Sequence, residues 1–469
     1  MTTQRFGFWL GLAGFAATLL LAPPDDMSLQ AWRTGGLLWW MAAWWMTEAL
    51  PLSATALLPF VVLPLIGVAD ANKTASAYYS PIMFLFIGGA FLALAIERTG
   101  LHRRLALAIL ARSGQRPGQL LLAVMMATAL ISMFISNTST ALIMMPMAIA
   151  MLRSGGVAEG RQDGIAGALP MGVAFAATIG GLGTMVGTPT NAICAALLEK
   201  SLGVHISFLE WSAFGIPVVL IGVPVAGAII HRVQRLESDT FDPVAARRAI
   251  DLDPAWTPPE RRLVPVFGLT VLAWIGQPLL ERALPGGSIT DGTIAAIAGL
   301  ALFVIPDGTG RPLLVWKEAN RAPWDVVLMF GGGLAIAMGL TESGLDDWLG
   351  LRLLPLEALP LVLVAAALVG FVIVVTEFAS NIAAASGIMP VVAALIGALH
   401  ADPVLLALPA ALAASWGFML PAGTGPNAIA WGTGHIALPR VLRAGLWLDL
   451  AGVFLLVGVI WAVAAAGVL

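Results

Sequence analysis

The chain carries the same short polar insertion twice in apolar surroundings, and that repetition narrows the folds open to it. Ser136-Asn137-Thr138 interrupts the apolar stretch 118–152, and Ser380-Asn381-Ile382 interrupts the stretch 355–398, 244 residues later. The same spacing carries Phe86-Ile87-Gly88-Gly89 onto Phe330-Gly331-Gly332-Gly333, and Gly100-Leu101 onto Gly344-Leu345. A second pair follows each copy: Gly187-Thr188-Pro189-Thr190-Asn191-Ala192-Ile193 and Gly423-Thr424-Gly425-Pro426-Asn427-Ala428-Ile429. Its spacing is 236, so about one short loop has been lost in the second half. Two halves with small polar residues set in apolar helices describe a transporter built from internal repeats.

The surroundings are apolar enough for a membrane. Hydrophobic residues make up 59% of the chain and charged ones 11%, against about 25% charged in soluble domains; the mean hydropathy is +0.91. Runs at 6–22, 213–230, 263–275, 294–305 and 444–469 have roughly the length that crosses a bilayer. The expectation is one all-α polytopic membrane unit, multi-pass in the cell membrane. A net charge of −3 points to no particular partner and gives no ground for nucleic-acid binding. A single cysteine, Cys194, excludes an internal disulfide and a cysteine metal cluster. Sixteen tryptophans suit interfacial belts. The first apolar segment ends in Ala22-Pro23-Pro24-Asp25-Asp26 and reads as a retained span, not a signal peptide.

Spans are expected near 6–22, 32–48, 52–67, 80–97, 167–199, 209–231, 263–280, 289–305, 323–341, 404–432 and 444–468. The stretches 118–152 and 355–398 are broken at their centres, and neither half of either is comfortable as a full span. Both read as re-entrant hairpins. Proline and glycine in the second motif pair make 167–199 and 404–432 broken helices. The expected units are scaffold helices 1–117, a first hairpin and broken helix with the following span at 118–231, and a linker at 232–262. Scaffold helices 263–354, a second hairpin and broken helix at 355–432, and a last helix at 433–469 complete the chain.

Charge sets the orientation. With the N-terminus inside, all but five of the 24 Lys and Arg face the cytoplasm, the exceptions being Arg33, Lys73, Lys200, Arg282 and Arg352. Segment 98–116 holds five arginines, while its repeat counterpart 342–360 holds one arginine and four acids. Related segments of opposite charge balance face opposite sides, which makes the repeats inverted and places the C-terminus outside.

The breaks carry the chemistry. Backbone N–H and C=O groups freed in hydrocarbon need ligand, water or protein as partners. Helix N-termini there attract anions, and carbonyls with Asn and Ser side chains hold hard cations. No Lys or Arg lies in the four motifs. An isolated Ser or Thr in a membrane helix more often bonds to its own preceding turn; two repeat-related copies argue against that here. Glu48 and Glu377 read as buried acids. Glu48, beside Pro51, suits a turn; Glu377, just before the second hairpin tip, is open between structure and function. Gly88-Gly89 and Gly331-Gly332-Gly333 read as close helix contacts, since no phosphate-loop lysine follows. His205 and His435 stand alone and are not expected to bind metal. The motif clusters hold neither a His-Asp pair nor paired carboxylates, so no catalytic residue and no enzyme activity is expected.

Together with the run from Trp44-Trp45-Met46-Thr47-Glu48 through Pro51-Leu52-Ser53 to Pro59, these motifs resemble the divalent anion/sodium symporter (DASS) family over nearly the whole chain. The resemblance implies eleven spans plus two hairpins, a homodimer and an elevator mechanism. It implies sodium as coupling ion, no other cofactor, and a C4 dicarboxylate such as succinate, malate or fumarate as cargo; relatives take citrate or sulfate. One sodium site would use Ser132, Ser136, Asn137 and the carbonyl of Gly187. The other would use Thr376, Ala379, Asn381 and the carbonyl of Gly423. Thr376 is the 244-residue partner of Ser132. The anion would touch Ser136, Asn137, Thr138, Thr188 and Pro189 from one half, and Ser380, Asn381, Ile382, Thr424 and Gly425 from the other. Two positions depart from the family pattern: Ile382 stands where many members have Thr, and Gly425 where many have Pro. Sodium-independent exchange of dicarboxylates on the same fold is the alternative. An anion channel is the third reading; it needs a continuous polar pore, whereas here polarity concentrates at two hairpin tips.

Overall fold

The computed structural model describes residues 3–112, 114, 116–158, 160–236, 241–248, 255–421 and 423–467. Among these the structure is helical throughout; the one β-type pairing is an isolated bridge between Pro306 and Pro312.

The duplication in the sequence is a duplication of helices. The first copy runs Ile82–Thr99, Leu101–Leu110, Pro117–Ser132, Asn137–Ser154, Ile165–Gly181, Pro189–Leu202 and Phe208–Gln234. The second runs Trp324–Ser343, Leu345–Leu353, Leu361–Phe378, Asn381–Leu399, Pro403–Ala413, Gly425–Gly432 and Leu438–Ala465. Local chemistry sets the boundaries at matched places. Gly100 and Gly344 end the leading helices at φ 82° and 73°, a left-handed conformation in which glycine carries no Cβ strain. Ser136 and Ser380 cap the helices that follow, accepting from the N–H of Ser139 and Ala383. Pro146 and Pro390 lie at the same depth of those helices.

An ion pair, an aromatic contact and a hydrogen bond fix the relative direction of the copies. Arg321, just before Trp324–Ser343, pairs with Glu97 at the end of Ile82–Thr99 at 3.0 Å. Trp324 packs edge-on against Phe91. The equivalent helices therefore run antiparallel. The last pair does the same: Arg440, at the start of Leu438–Ala465, donates to the Gln234 side chain at 3.0 Å, at the end of Phe208–Gln234. Inversion, inferred from charge, is present in the backbone.

One end of the molecule gathers arginine. Arg98 bonds Asp307 and the carbonyl of Leu313, Arg104 meets Glu260 at 2.6 Å, and Arg311 meets Glu318 at 2.6 Å. Burial by itself would raise the Asp307 carboxyl; bonds from Thr309 and the Arg98 guanidinium outweigh it and hold the group at about 2. Lys73 and Glu342 pair at the opposite end.

The core surrounds the pre-break helices. Every residue of Ile165–Gly181 is buried, as is its equivalent from Leu406 to Ala413. The outside is greasy: Leu65, Val304 and Phe454 are 80%, 79% and 78% exposed, as expected of side chains that a bilayer covers. Among the described residues, six helices are long and apolar enough to cross a membrane.

Four expectations change. Both arms of the second hairpin, at 18 and 19 residues, are long and apolar enough to span, so shortness is not what makes the hairpin. The span expected at 263–280 bends by 73° between Pro258–Ile275 and Gln277–Ala283; Pro278 cannot continue the helix ladder. The span at 52–67 is split into Leu52–Thr55 and Leu58–Leu65. Glu48 is exposed, not buried; it ends Leu29–Thr47 in a left-handed cap at φ 48°. The linker 232–262 lies partly outside the described residues, as do residue 468 of the last span and residue 469. Of the linker's described residues, 232–234 end the helix Phe208–Gln234 and 258–262 begin Pro258–Ile275, while Pro243–Arg248 packs on Asn137–Ser154, with Asp242 N–H on the Gly155 carbonyl at 3.1 Å.

Candidate functional site

At each hairpin turn a hydroxyl is wedged between two oxygens. Ser132 Oγ lies 2.9 Å from Asn137 Oδ1 and 2.6 Å from the carbonyl of Ala177. Thr376 Oγ1 lies 2.9 Å from Asn381 Oδ1 and 2.7 Å from the carbonyl of Ala414. A hydroxyl has one proton and cannot serve both acceptors. Each cluster thus holds three close oxygens and one hydrogen, a donor set suited to a hard cation. Ser132 and Thr376 are fully buried. The two clusters arise independently from the two halves. The sequence pointed to the side chains; the alanine carbonyls have no residue-type signature and were missed.

The breaks close on these clusters. A Cβ on Gly181 would lie 2.1 Å from Asn137 Oδ1, so only glycine lets the amide in. Gly187 abuts the Gly181 carbonyl, which brings Ser132, Asn137 and Gly187 to one place. Asn191 and Asn427 staple the freed backbone. Asn191 Nδ2 donates to the carbonyls of Gly181 and Thr184 at 2.8 Å, and Asn427 Nδ2 to the carbonyl of Leu420 at 3.3 Å. Their Oδ1 atoms are buried with no donor among the described residues. The signal for both was their matched place in the repeat.

A strut joins each hairpin to its break, and the halves build it differently. In the first, Thr184 Oγ1 donates to the Met133 carbonyl. In the second, the Glu377 carboxylate accepts the N–H groups of Met419 and Leu420, both at 2.8 Å. Thr184 and Leu420 are repeat equivalents, as are Met133 and Glu377. Glu377 thereby resolves as a structural acceptor beside the Thr376 cluster. Asp449 of the last helix is buried next to it. Glu377→Gln leaves one carbonyl oxygen for two buried N–H groups, a loss of about 1–3 kcal/mol of stability. Met133→Leu, a volume-conserving change, costs less than about 1.5 kcal/mol. Denaturation of the purified variants measures both; equal losses would mean that the carboxylate is no strut.

Four helices start here, at Asn137, Pro189, Asn381 and Gly425. Their capping residues are Ser136, Thr188, Ser380 and Thr424. The site crosses the halves: a Cβ on Gly425 would sit 2.3 Å from Thr138 Oγ1. Gly425 thus makes room for the first hairpin's threonine. Asn137–Ser154 packs on Gly425–Gly432, and Asn381–Leu399 on Pro189–Leu202. Ser136, Thr138 and Gly425 are exposed; Asn137, Pro189, Ser380, Asn381 and Ile382 are half-buried; Ala379, Thr188 and Thr424 are buried. Ser136 Oγ is engaged by Ser139, and Ile382 packs against the main core.

Comparison with known proteins places this architecture. Residues 3–466 match the model of the sodium:sulfate symporter transmembrane region. Proteins named sodium-dependent dicarboxylate transporter SdcS are 36% identical. The one from Staphylococcus saprophyticus aligns over 98% of this chain and 91% of its own length, and the one from Staphylococcus aureus strain MRSA252 over the same shares. The crystal structure of the Alcanivorax borkumensis YdaH transporter superposes with a TM-score of 0.56 at 14% identity, covering 100% of this chain and 99% of that one. That last likeness concerns the fold alone. With a family match spanning nearly every residue and relatives this similar end to end, the chain belongs to the sodium:sulfate symporter family, the divalent anion/sodium symporters.

Proposed function

We propose that the protein is a sodium-coupled symporter of C4 dicarboxylates. The observation that carries this is the twofold occurrence of a buried Ser or Thr hydroxyl, an Asn amide oxygen and a helix carbonyl beside a helix N-terminus. One sodium is held by Ser132, Ser136, Asn137 and the Gly187 carbonyl, with the Ala177 carbonyl close by. The second is held by Thr376, Ala379, Asn381 and the Gly423 carbonyl, near that of Ala414. The dianion lies between the hairpins, against Ser136, Asn137, Thr138, Thr188 and Pro189, and Ser380, Asn381, Ile382, Thr424 and Gly425. Its charge is met by four helix N-termini and by the sodium ions. The names of the staphylococcal relatives support both coupling ion and cargo class.

In this reading eleven spans and two hairpins form a homodimeric elevator. Hairpins and broken helices carry the cargo past scaffold helices, and the arginine-rich end faces the cytoplasm, with the N-terminus there and the C-terminus outside. Uptake of labelled succinate into proteoliposomes, with and without a sodium gradient and with and without internal dicarboxylate, tests it. Sodium-driven uptake into empty vesicles supports symport. Uptake that needs internal dicarboxylate and ignores sodium would replace it with exchange.

Ile382 is the repeat partner of Thr138 and offers the anion no hydroxyl. Ile382→Thr adds one donor, worth about 0.5–1.5 kcal/mol, or about a twofold to tenfold gain in affinity. The gain is expected for succinate, malate and fumarate over sulfate in competition assays. An unchanged ranking with lowered stability would make Ile382 a packing residue only.

A further inference from the structure

A separate cavity of about 780 Å³ opens at the arginine-rich end, where Phe208–Gln234 finishes and Leu438–Ala465 begins. Its rim carries Arg232, Arg235, Arg440 and Arg443; Ile229, Trp447 and Ala451 lie deeper. We infer that this cavity binds an anionic phospholipid, with the phosphodiester among the arginines and an acyl chain along Trp447 and Ala451.

Three observations converge. Arg440 is spent on structure, holding the Gln234 carbonyl and side chain at 3.3 and 3.0 Å. Arg440 also lies 4.0 Å from Asp163, whereas Arg232 and Arg443 are exposed and no acid among the described residues pairs with either. Two guanidinium groups at one cavity mouth repel each other and favour a phosphate, which each can bind by two N–H groups. The second observation is depth. Arg443, Trp447 and Ala451 stand four residues apart on one helix face, so they descend about 12 Å from headgroup level into acyl level. Trp447 is 54% exposed, and a half-exposed tryptophan suits the interface between the two levels. The third is surroundings. Leu446, Leu450 and Phe454 of the same helix are 44%, 48% and 78% exposed, so the cavity opens onto lipid-facing surface. Charge bias alone would place arginines at this end without a cavity; a basic pocket between membrane helices is a headgroup site.

The test uses detergent-purified full-length protein and native mass spectrometry, with dioleoylphosphatidylglycerol, dioleoylphosphatidylcholine and inorganic phosphate as probes. Phosphatidylglycerol should be retained at least about tenfold better than phosphatidylcholine, and millimolar phosphate should not displace it. Each arginine contributes about fivefold, so Arg232→Gln with Arg443→Gln should weaken retention about twenty-five-fold. Arg443→Gln alone gives about fivefold and serves if the double variant does not fold. Trp447→Ala should weaken lipid binding with both arginines intact. Equal retention of the two lipids, displacement by phosphate, or wild-type retention in Arg443→Gln would each overturn the assignment.

Discussion

Asn137→Ala and Asn381→Ala each lower succinate uptake about a hundredfold or more, while the purified proteins keep their fold. Each amide oxygen sits 2.9 Å from the hydroxyl of its cluster, and each residue is the first of a helix whose N-terminus faces the site. In the proposed site one side chain serves both the cation and the anion. A hydrogen bond or equivalent contact to a charged group is worth about 1.5–3 kcal/mol. Losing two such contacts costs about 3–6 kcal/mol, or a factor of about a hundred and upward. The halves should behave alike because their geometry is alike. Near-normal uptake by either purified variant in proteoliposomes would remove that hairpin tip from the site.

Sodium and succinate should bind with positive coupling. The four motifs hold no lysine or arginine, so helix ends and neutral donors face a double negative charge alone until sodium arrives. Binding free energies are reciprocal: succinate must tighten sodium by the factor by which sodium tightens succinate. Coupling of about 1–3 kcal/mol corresponds to about five- to a hundred-and-fifty-fold. Calorimetry of succinate binding in sodium and in choline measures it. Ser132→Ala and Thr376→Val, which remove the wedged hydroxyls, should each reduce the factor. Equal affinity in the two salts would point to exchange instead.

The breaks and the turns at Ser136 and Ser380 were legible because proline, glycine and asparagine cannot hide in apolar runs, but both arms of the second turn are long enough to span. Both Asn residues follow from the repeated motif, whereas Ser132 and Thr376 came from the family resemblance, with the 244-residue spacing only relating one to the other; the structure brings each hydroxyl to its Asn. Inversion was legible in the contrast between 98–116 and 342–360. The carbonyls of Ala177 and Ala414 were not, because every residue has one and only the fold selects which turn inward. Glu377 was ambiguous since its partners are backbone N–H groups. Glu48 sits at the turn that its place beside Pro51 suggested, capping Leu29–Thr47, but it is exposed: in an apolar run an acid reads as buried. The two short helices after the leading spans also pack differently. Leu101–Leu110 lies on Pro117–Ser132, but Leu345–Leu353 lies on Asn381–Leu399, a difference of tertiary contact that equal sequences would not reveal.

Thr138 rests on Gly425, so a residue of one half would complete the proposed site of the other. Neither repeat is therefore a functional unit by itself. A single ancestral copy could assemble this site only by meeting a second copy inserted upside down in the same bilayer. Such a gene product must enter the membrane in both orientations, which requires a near balance of basic residues on its two faces. Fusion into one chain removes that requirement. The five arginines of 98–116, against one in 342–360, are the kind of basic bias a fused pair can acquire once each copy need insert in one direction only.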